Sequence, residues 1–134
     1  ILEVLLVKIV REAAVSMRIV QPPSKSKECA AAKRYIDENF SENITLDKLA
    51  EITHVNKYYL SHTFQREYNT SPINYLLNRR ITESKALLTS TDFSLTQISE
   101  QMGFSSPAYF SQSFRRFTGQ SPLEYRRKNQ PGKK

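Results

Sequence analysis

The chain has 134 residues, a length that suits one domain or two very small ones. Its 39% hydrophobic and 25% charged residues can build a buried core, which excludes a disordered tail. One cysteine and three glycines exclude a disulfide framework, a cysteine-rich zinc site and a glycine-rich phosphate loop. The net charge of +7 fits a polyanionic partner such as nucleic acid, but residues 126–134 alone contribute +5, so charge by itself is weak support.

Residues 1–20 are rich in apolar side chains that recur with the spacing of a helix with a broad apolar face. A strand is the alternative, because several of these residues are β-branched. Charged side chains interrupt the segment, which disfavours a membrane span, and acidic residues near its start disfavour a signal peptide. We expect residues 1–24 to be the end of an upstream domain or a dimerisation or linker helix, with a proline-containing linker at 21–26.

From Ser26 onward, the apolar spacing predicts helices almost throughout. The sequence offers N-terminal caps for six of them, at Ser26, Thr45, Asn56, Ser71, Ser94 and Ser121. A further helix is expected from about Ser106 to Thr118, and Gly103 is expected to end the helix before it. The longest predicted helix spans Ile73–Thr89, and the proline at position 72 suits its first turn. Residues 129–134 form a basic tail.

The second half of this helical region repeats the first. Leu49 and Val55 correspond to Ile98 and Phe104 at an offset of 49 residues. From position 59 onward the offset is 50, so one residue has been inserted at the turn of the second copy. The residues that recur at this offset are Tyr59, Ser61, Phe64, Arg66, Ser71, Pro72 and Tyr75, which match Tyr109, Ser111, Phe114, Arg116, Ser121, Pro122 and Tyr125.

Each copy consists of a short helix, a tight turn with a buried residue and a longer helix. This is the helix-turn-helix arrangement, in which the second helix enters the major groove of DNA. For a single copy, an ordinary helix pair in an α-bundle is a strong alternative. Two copies, with matching Ser-Pro pairs at 71–72 and 121–122 after the longer helices, favour the helix-turn-helix interpretation.

Three segments resemble the signature of the AraC/XylS family of bacterial transcription regulators: ISEQMGF at 98–104, YFSQSFRR at 109–116 and GQSPLEYR at 119–126. The resemblance covers about residues 29–128. It implies an all-α fold in which two helix-turn-helix (homeodomain-like) subdomains are joined by a long central helix, about seven helices besides the N-terminal apolar one. The implied DNA-binding domain is 25–128, with helix-turn-helix units at about 45–68 and 94–118. Asn69 departs from the glycine common in the first copy, but asparagine tolerates a left-handed conformation.

The outward faces of the two longer helices carry side chains that suit base edges in DNA. Helical spacing places these positions opposite the inward-facing Leu60 and Phe64, and opposite Phe110 and Phe114. The expected base-reading residues are Tyr58, Ser61, His62, Gln65, Ala108, Tyr109, Ser111 and Gln112. The resemblance implies the same residues apart from Gln65 and Tyr109.

Basic side chains near these helices are candidates for contacts with DNA phosphates, which position a protein without reading sequence. They are Lys57, Arg66, Arg79, Arg80, Arg115 and Arg116. The alternative for each is a solvated surface charge. Arg66 and Arg116 have a second alternative, an ion pair with a carboxylate such as Glu67.

Three functions compete: a sequence-specific, double-stranded DNA-binding transcription regulator, an enzyme that uses Cys29 as acceptor for an alkyl group from DNA, and a helical module that binds protein. The first is favoured. It implies a bacterial, cytoplasmic, nucleoid-associated protein that is not an enzyme, binds promoter or operator DNA and RNA polymerase, and needs no cofactor, metal or membrane. His54, His62 and Cys29 lack the spacing of metal ligands, and Cys29 is expected in the core. Residues 1–20 are a candidate surface for a homodimer or a sensor domain.

Overall fold

The computed structural model describes residues 26–131, and within that range the chain forms seven helices and no strand. In chain order they are α1 Lys27–Asn39, α2 Leu46–Thr53, α3 Lys57–Tyr68, α4 Pro72–Ser90, α5 Leu95–Met102, α6 Pro107–Thr118 and α7 Pro122–Asn129. The all-α prediction is confirmed for this part of the chain. The predicted N-terminal apolar helix and the last three residues of the basic tail lie outside the described residues.

Each of these helices begins at a side chain that accepts a hydrogen bond from a backbone N–H of the first turn. The caps are Ser26, Thr45, Asn56, Ser71, Ser94, Ser106 and Ser121. Ser94 and Gln97 form a reciprocal capping box, and Ser121 forms another with Glu124. Because a cap stabilises a helix start by about 1 kcal/mol, these local bonds fix the helix boundaries close to where the sequence predicts them.

The backbone geometry confirms the internal repeat. The Val55 N–H donates to the Ala50 carbonyl at 3.2 Å, and the Phe104 N–H donates to the Ser99 carbonyl at 3.0 Å. In the first copy the next cap, Asn56, follows Val55 directly. In the second copy the next cap, Ser106, stands two residues after Phe104, so position 105 is the inserted residue. The two copies therefore make the same turn, followed by a longer helix that starts one residue later in the second copy.

Two hydrophobic clusters fill the domain, one for each copy. The first contains Ile36, Leu49, Leu60, Phe64 and Leu76 among its buried residues, and the second contains Leu77, Ile81, Ile98, Phe110 and Phe114. The central helix α4 contributes to both clusters, and Phe40 packs against both. We call α1–α3 with the start of α4 the first subdomain, and the rest of α4 with α5–α7 the second subdomain.

Candidate nucleic-acid interface

Helices α3 and α6 present equivalent faces. Helix α3 buries Leu60, Thr63 and Phe64, whereas α6 buries Phe110, Ser113 and Phe114, which are the corresponding positions of the repeat. Since the buried positions correspond, the outward positions correspond as well. The structure thus carries two copies of one helical surface, each formed by the second helix of a helix-turn-helix unit.

The outward face of α3 is open to solvent at most of the predicted base-reading positions. Tyr58 is 72% exposed, His62 and Gln65 are exposed, and Ser61 is half-buried beside them. The backbone N–H groups of Tyr58 and Tyr59 both donate to the Asn56 side-chain oxygen and so hold the first turn of this helix. The side chains that project from it therefore stand on a capped, well-defined helical start.

The outward face of α6 has the same exposure with different chemistry. Ala108, Gln112 and Arg115 are exposed and Ser111 is half-buried. Tyr109 lies at the flank, because its ring packs edge-on against Phe104 with 5.7 Å between the ring centres. At corresponding positions, Tyr58, His62 and Gln65 of α3 are replaced by Ala108, Gln112 and Arg115, so the two faces expose different side-chain chemistry.

Among the predicted phosphate contacts, those on α3 and α6 are surface side chains. Arg66, Arg115 and Arg116 are exposed. Arg115 lies 3.9 Å from a Glu124 carboxylate oxygen, and so exposed an ion pair contributes little to stability. The Arg116 guanidinium donates to the Asn74 side-chain oxygen at 2.7 Å and stacks over the Phe117 ring at 4.7 Å.

Lys57 stands at the first position of α3 and is engaged by a side chain from the preceding helix. Its ammonium group lies 3.1 Å from an Asp47 carboxylate oxygen, and this hydrogen bond raises the pKa of Lys57. The pair is exposed, so a phosphate can compete for the lysine at little cost. Sequence spacing did not identify Asp47 or Asn74 as neighbours of basic residues, because each lies on a different helix from its partner.

The central helix requires a correction of the phosphate assignments for Arg79 and Arg80. Arg80 is only 6% exposed, and it donates to the carbonyls of Phe40 at 2.6 Å and Glu42 at 2.8 Å. Arg79 is bonded to the carboxylates of Asp37 and Glu83, both at 2.9 Å. We therefore withdraw both as phosphate contacts.

For Arg80 the sequence did contain a usable indication. It lies three residues after Leu77 and four residues before Ser84, and these two residues share one helical face with Ile81 and Leu88. The same spacing places Arg80 on that inner face. A buried guanidinium there needs acceptors, and loop carbonyls provide them.

Cys29 lies in the first hydrophobic cluster with no exposed surface, and burial raises the pKa of its thiol. An alkyl acceptor has to reach the DNA as a thiolate, so both burial and protonation oppose that role. In native protein we expect Cys29 to react with a disulfide reagent more than about 100-fold slower than in guanidinium, because access requires opening of the core. Absorbance of the released thiol measures the rate.

An Arg34→Cys variant provides the control for this measurement, because position 34 is exposed on the same helix. In the native protein its added thiol should react with the reagent as fast as a thiol in the unfolded chain does. Equal native and denatured rates for Cys29 itself would contradict the buried placement.

Within residues 26–131 there is no group of three or more histidine, cysteine, aspartate or glutamate side chains that could hold a metal ion. No helix in that range is long and apolar enough to cross a membrane.

Comparison with curated proteins finds relatives among regulators. The chain is 41% identical over 93 residues to the uncharacterized HTH-type transcriptional regulator YdiP of Escherichia coli (strain K12), covering 69% of the chain and 31% of YdiP. It is 33% identical over 92 residues to the bifunctional transcriptional activator/DNA repair enzyme AdaA of Bacillus subtilis (strain 168), covering 69% of the chain and 44% of AdaA. The chain thus spans about a third to less than half of these relatives.

Solved structures share the fold. A probable AraC family transcriptional regulator from Rhodopseudomonas palustris matches with a TM-score of 0.71 and 26% identity, over 79% of this chain and 100% of that one. The DNA-binding domain of the global transcriptional factor AdpA, solved in complex with a target DNA, matches with a TM-score of 0.70 and 25% identity, over 74% and 89%.

A family model described as a helix-turn-helix domain matches residues 49–128, which is more than half of the chain. It contains α3 and α6 with both exposed faces and all of α4, which joins them. Together with the fold shared with an AraC regulator, this match shows that the chain belongs to the AraC-type helix-turn-helix family of DNA-binding transcriptional regulators.

Proposed function

We propose that this chain binds a specific double-stranded DNA site with α3 and α6 in two successive segments of the major groove. The observation that carries the proposal is the pair of equivalent exposed faces on the second helices of a duplicated helix-turn-helix. Helix α4 has 19 residues and is therefore about 28 Å long at ~1.5 Å per residue. That length is compatible with two recognition helices about one DNA turn apart, ~34 Å.

The proposed base readers divide by chemistry. Gln112 and Gln65 can pair bidentately with adenine, and Ala108 can pack against a thymine methyl group. The hydroxyls of Ser61, Ser111 and Tyr58 and the imidazole of His62 can each exchange hydrogen bonds with base edges. The remaining member of the set, Tyr109, lies at the flank of α6, where it supports the base-reading face.

The wider assignments rest on the family and on the sequence. We infer a regulator without enzymatic activity, in the bacterial cytoplasm and nucleoid, with RNA polymerase as second partner. Residues 25–128 form the DNA-binding domain, residues 129–134 are a basic tail, and the apolar segment within 1–24 docks to a sensor domain or a second copy. Light scattering of the chain with and without residues 1–24 tests self-association. If both forms contained the same number of chains per particle, a homodimer formed through residues 1–24 would be contradicted.

Selection from a random duplex pool tests the proposed function directly. The enriched duplex should bind, by fluorescence anisotropy at ~150 mM salt, at least about 1000-fold tighter than a shuffled duplex of equal composition. Equal affinity for the two duplexes would refute sequence-specific binding.

Replacement of Arg115 by alanine tests the phosphate contacts. Loss of one phosphate contact should weaken binding to the selected and the shuffled duplex by similar factors. The negative slope of log affinity against log salt should become shallower by about one. Titrations at several salt concentrations measure that slope. The control is Arg34→Ala, an exposed arginine on α1 outside both helix-turn-helix units, which should leave the slope unchanged. An unaltered slope for the Arg115 variant would contradict its assignment.

A further inference from the structure

Gly103, in the turn of the second helix-turn-helix, lies against the backbone of Ser41 in the first subdomain. Gly103 ends α5 with a φ of 89°, and a Cβ at this position would lie 2.6 Å from the Ser41 carbonyl oxygen. The same Cβ would lie 2.9 Å from the Ser41 carbonyl carbon. Backbone atoms cannot turn away as a flexible side chain would, so this contact requires the absence of a side chain.

Comparison with the first copy shows whether the left-handed backbone alone requires glycine at this position. The position of the first copy that corresponds to Gly103 is His54, which has a φ of 61° and carries a full, exposed side chain. A left-handed helix end therefore does not by itself demand glycine in this fold. The close approach of the Ser41 backbone to Gly103 is the feature that does.

Arg80 holds the same loop by hydrogen bonds. Its two hydrogen bonds end on the carbonyls of Phe40 and Glu42, the residues on either side of Ser41. Its guanidinium also lies 5.6 Å from the centre of the Phe104 ring, next in sequence to Gly103. The loop at 40–42 is thereby bound to the turn of the second helix-turn-helix.

From Phe104 the contacts continue into the recognition helix. The Phe104 ring packs against Phe110 and Tyr109, with ring centres 5.2 and 5.7 Å apart. Both of these residues lie in the first turns of α6. Packed rings and backbone contacts of this kind do not deform continuously, so a displacement of the loop would be transmitted to α6.

We propose that the Ser41–Gly103 contact and Arg80 are positioning elements that fix α6 relative to the first subdomain and so set the spacing of base pairs that the domain accepts. The inference rests on the proposed function. One inserted base pair moves the second segment by about 3.4 Å and rotates it by about 35°. A rigid pair of recognition helices cannot follow that change, whereas a loosely joined pair can.

Two matched variants of the full chain test the inference. Gly103→Asn and Gly119→Asn both place asparagine at a left-handed glycine, but a Cβ at Gly119 would meet nothing within 4 Å. The probes are the duplex selected by the wild-type chain and two derivatives with one base pair inserted or deleted between its halves. Anisotropy gives the affinity of each protein for each duplex, and circular dichroism verifies folding.

Wild type and Gly119→Asn should lose at least about tenfold in affinity for either duplex with altered spacing. This loss is comparable to the effect of one mismatched base pair in a binding site. Gly103→Asn should bind the selected duplex more weakly and should lose less than about threefold on the altered ones. Arg80→Lys, which cannot donate to both carbonyls with one planar group, should also reduce the spacing penalty.

The outcomes separate the two proposals. Failure of wild type to select any duplex would remove the proposed function and this inference with it. Selection of a duplex without a spacing penalty in wild type, or an unchanged penalty in folded Gly103→Asn and Arg80→Lys, would overturn the inference alone.

A distance measurement covers the case in which the variants do not fold. Spin labels at Lys48→Cys and Gln101→Cys, exposed positions on α2 and α5, report the relation of the two subdomains in an otherwise wild-type chain. A single narrow distance distribution without DNA is expected. A broad distribution would overturn the inference.

Discussion

Replacement of Phe114 by alanine is expected to lower the free energy of unfolding by about 3–5 kcal/mol. The Phe114 side chain is fully buried, and its ring lies 5.9 Å from the Phe110 ring and 5.4 Å from the Tyr125 ring, centre to centre. Alanine would remove these contacts and leave a cavity. Since small domains are stable by only about 5–15 kcal/mol, the loss would bring the domain close to unfolding. Urea denaturation followed by circular dichroism measures it.

The repeat supplies a companion variant and a control for this prediction. Phe64→Ala removes the corresponding ring of the first subdomain and should cost a similar amount, with a single transition in both variants, because α4 and Phe40 belong to both clusters. Tyr58→Ala removes an aromatic side chain that is 72% exposed and should change stability by less than about 0.5 kcal/mol. Two separate transitions would contradict the description of the subdomains as one packed unit.

Replacement of Gln112 by alanine is expected to cost about 1–3 kcal/mol of binding free energy on the selected duplex, and little on shuffled DNA. Gln112 is exposed at the centre of the outward face of α6, and its amide can make two hydrogen bonds to one base. Loss of these bonds affects only the site whose base they read. Anisotropy titrations against both duplexes give the two differences.

Gln101→Ala is the matched control, because Gln101 is also an exposed glutamine but belongs to α5, outside the recognition helices. It should leave both affinities unchanged. If Gln112→Ala weakened binding to both duplexes equally, the side chain would contribute to general affinity and not to base recognition. Selection repeated with the Gln112 variant would then return the same preferred sequence as wild type.

Much of the fold could be predicted because its boundaries depend on neighbours in sequence. Caps such as Ser94 bond to backbone groups three residues away, and the turn at Val55 recurs at Phe104 because the residues around it recur. Helical spacing likewise identified the buried rings of α3 and α6, and hence the opposite, exposed face. The burial of Cys29 followed from the same pattern.

Other features depend on residues brought together from distant positions. Arg79 and Arg80 are adjacent basic residues, yet one lies in ion pairs at the surface and the other in the interior, because successive helical residues point about 100° apart. Apart from Glu83, which lies one turn later on the same helix, their partners lie about 40 residues earlier, at Asp37, Phe40 and Glu42. Composition gave no reason to separate them.

The helices, their caps, the duplication and the two outward faces can be read from the sequence, because they follow from hydrogen bonds and side-chain spacing within a few turns of one helix. Tertiary contacts supply the carbonyl acceptors of Arg80 and explain why Gly103 must be glycine where His54 need not be. The reason is that both depend on where the loop at 40–42 lies against elements about 40 and 60 residues further along the chain.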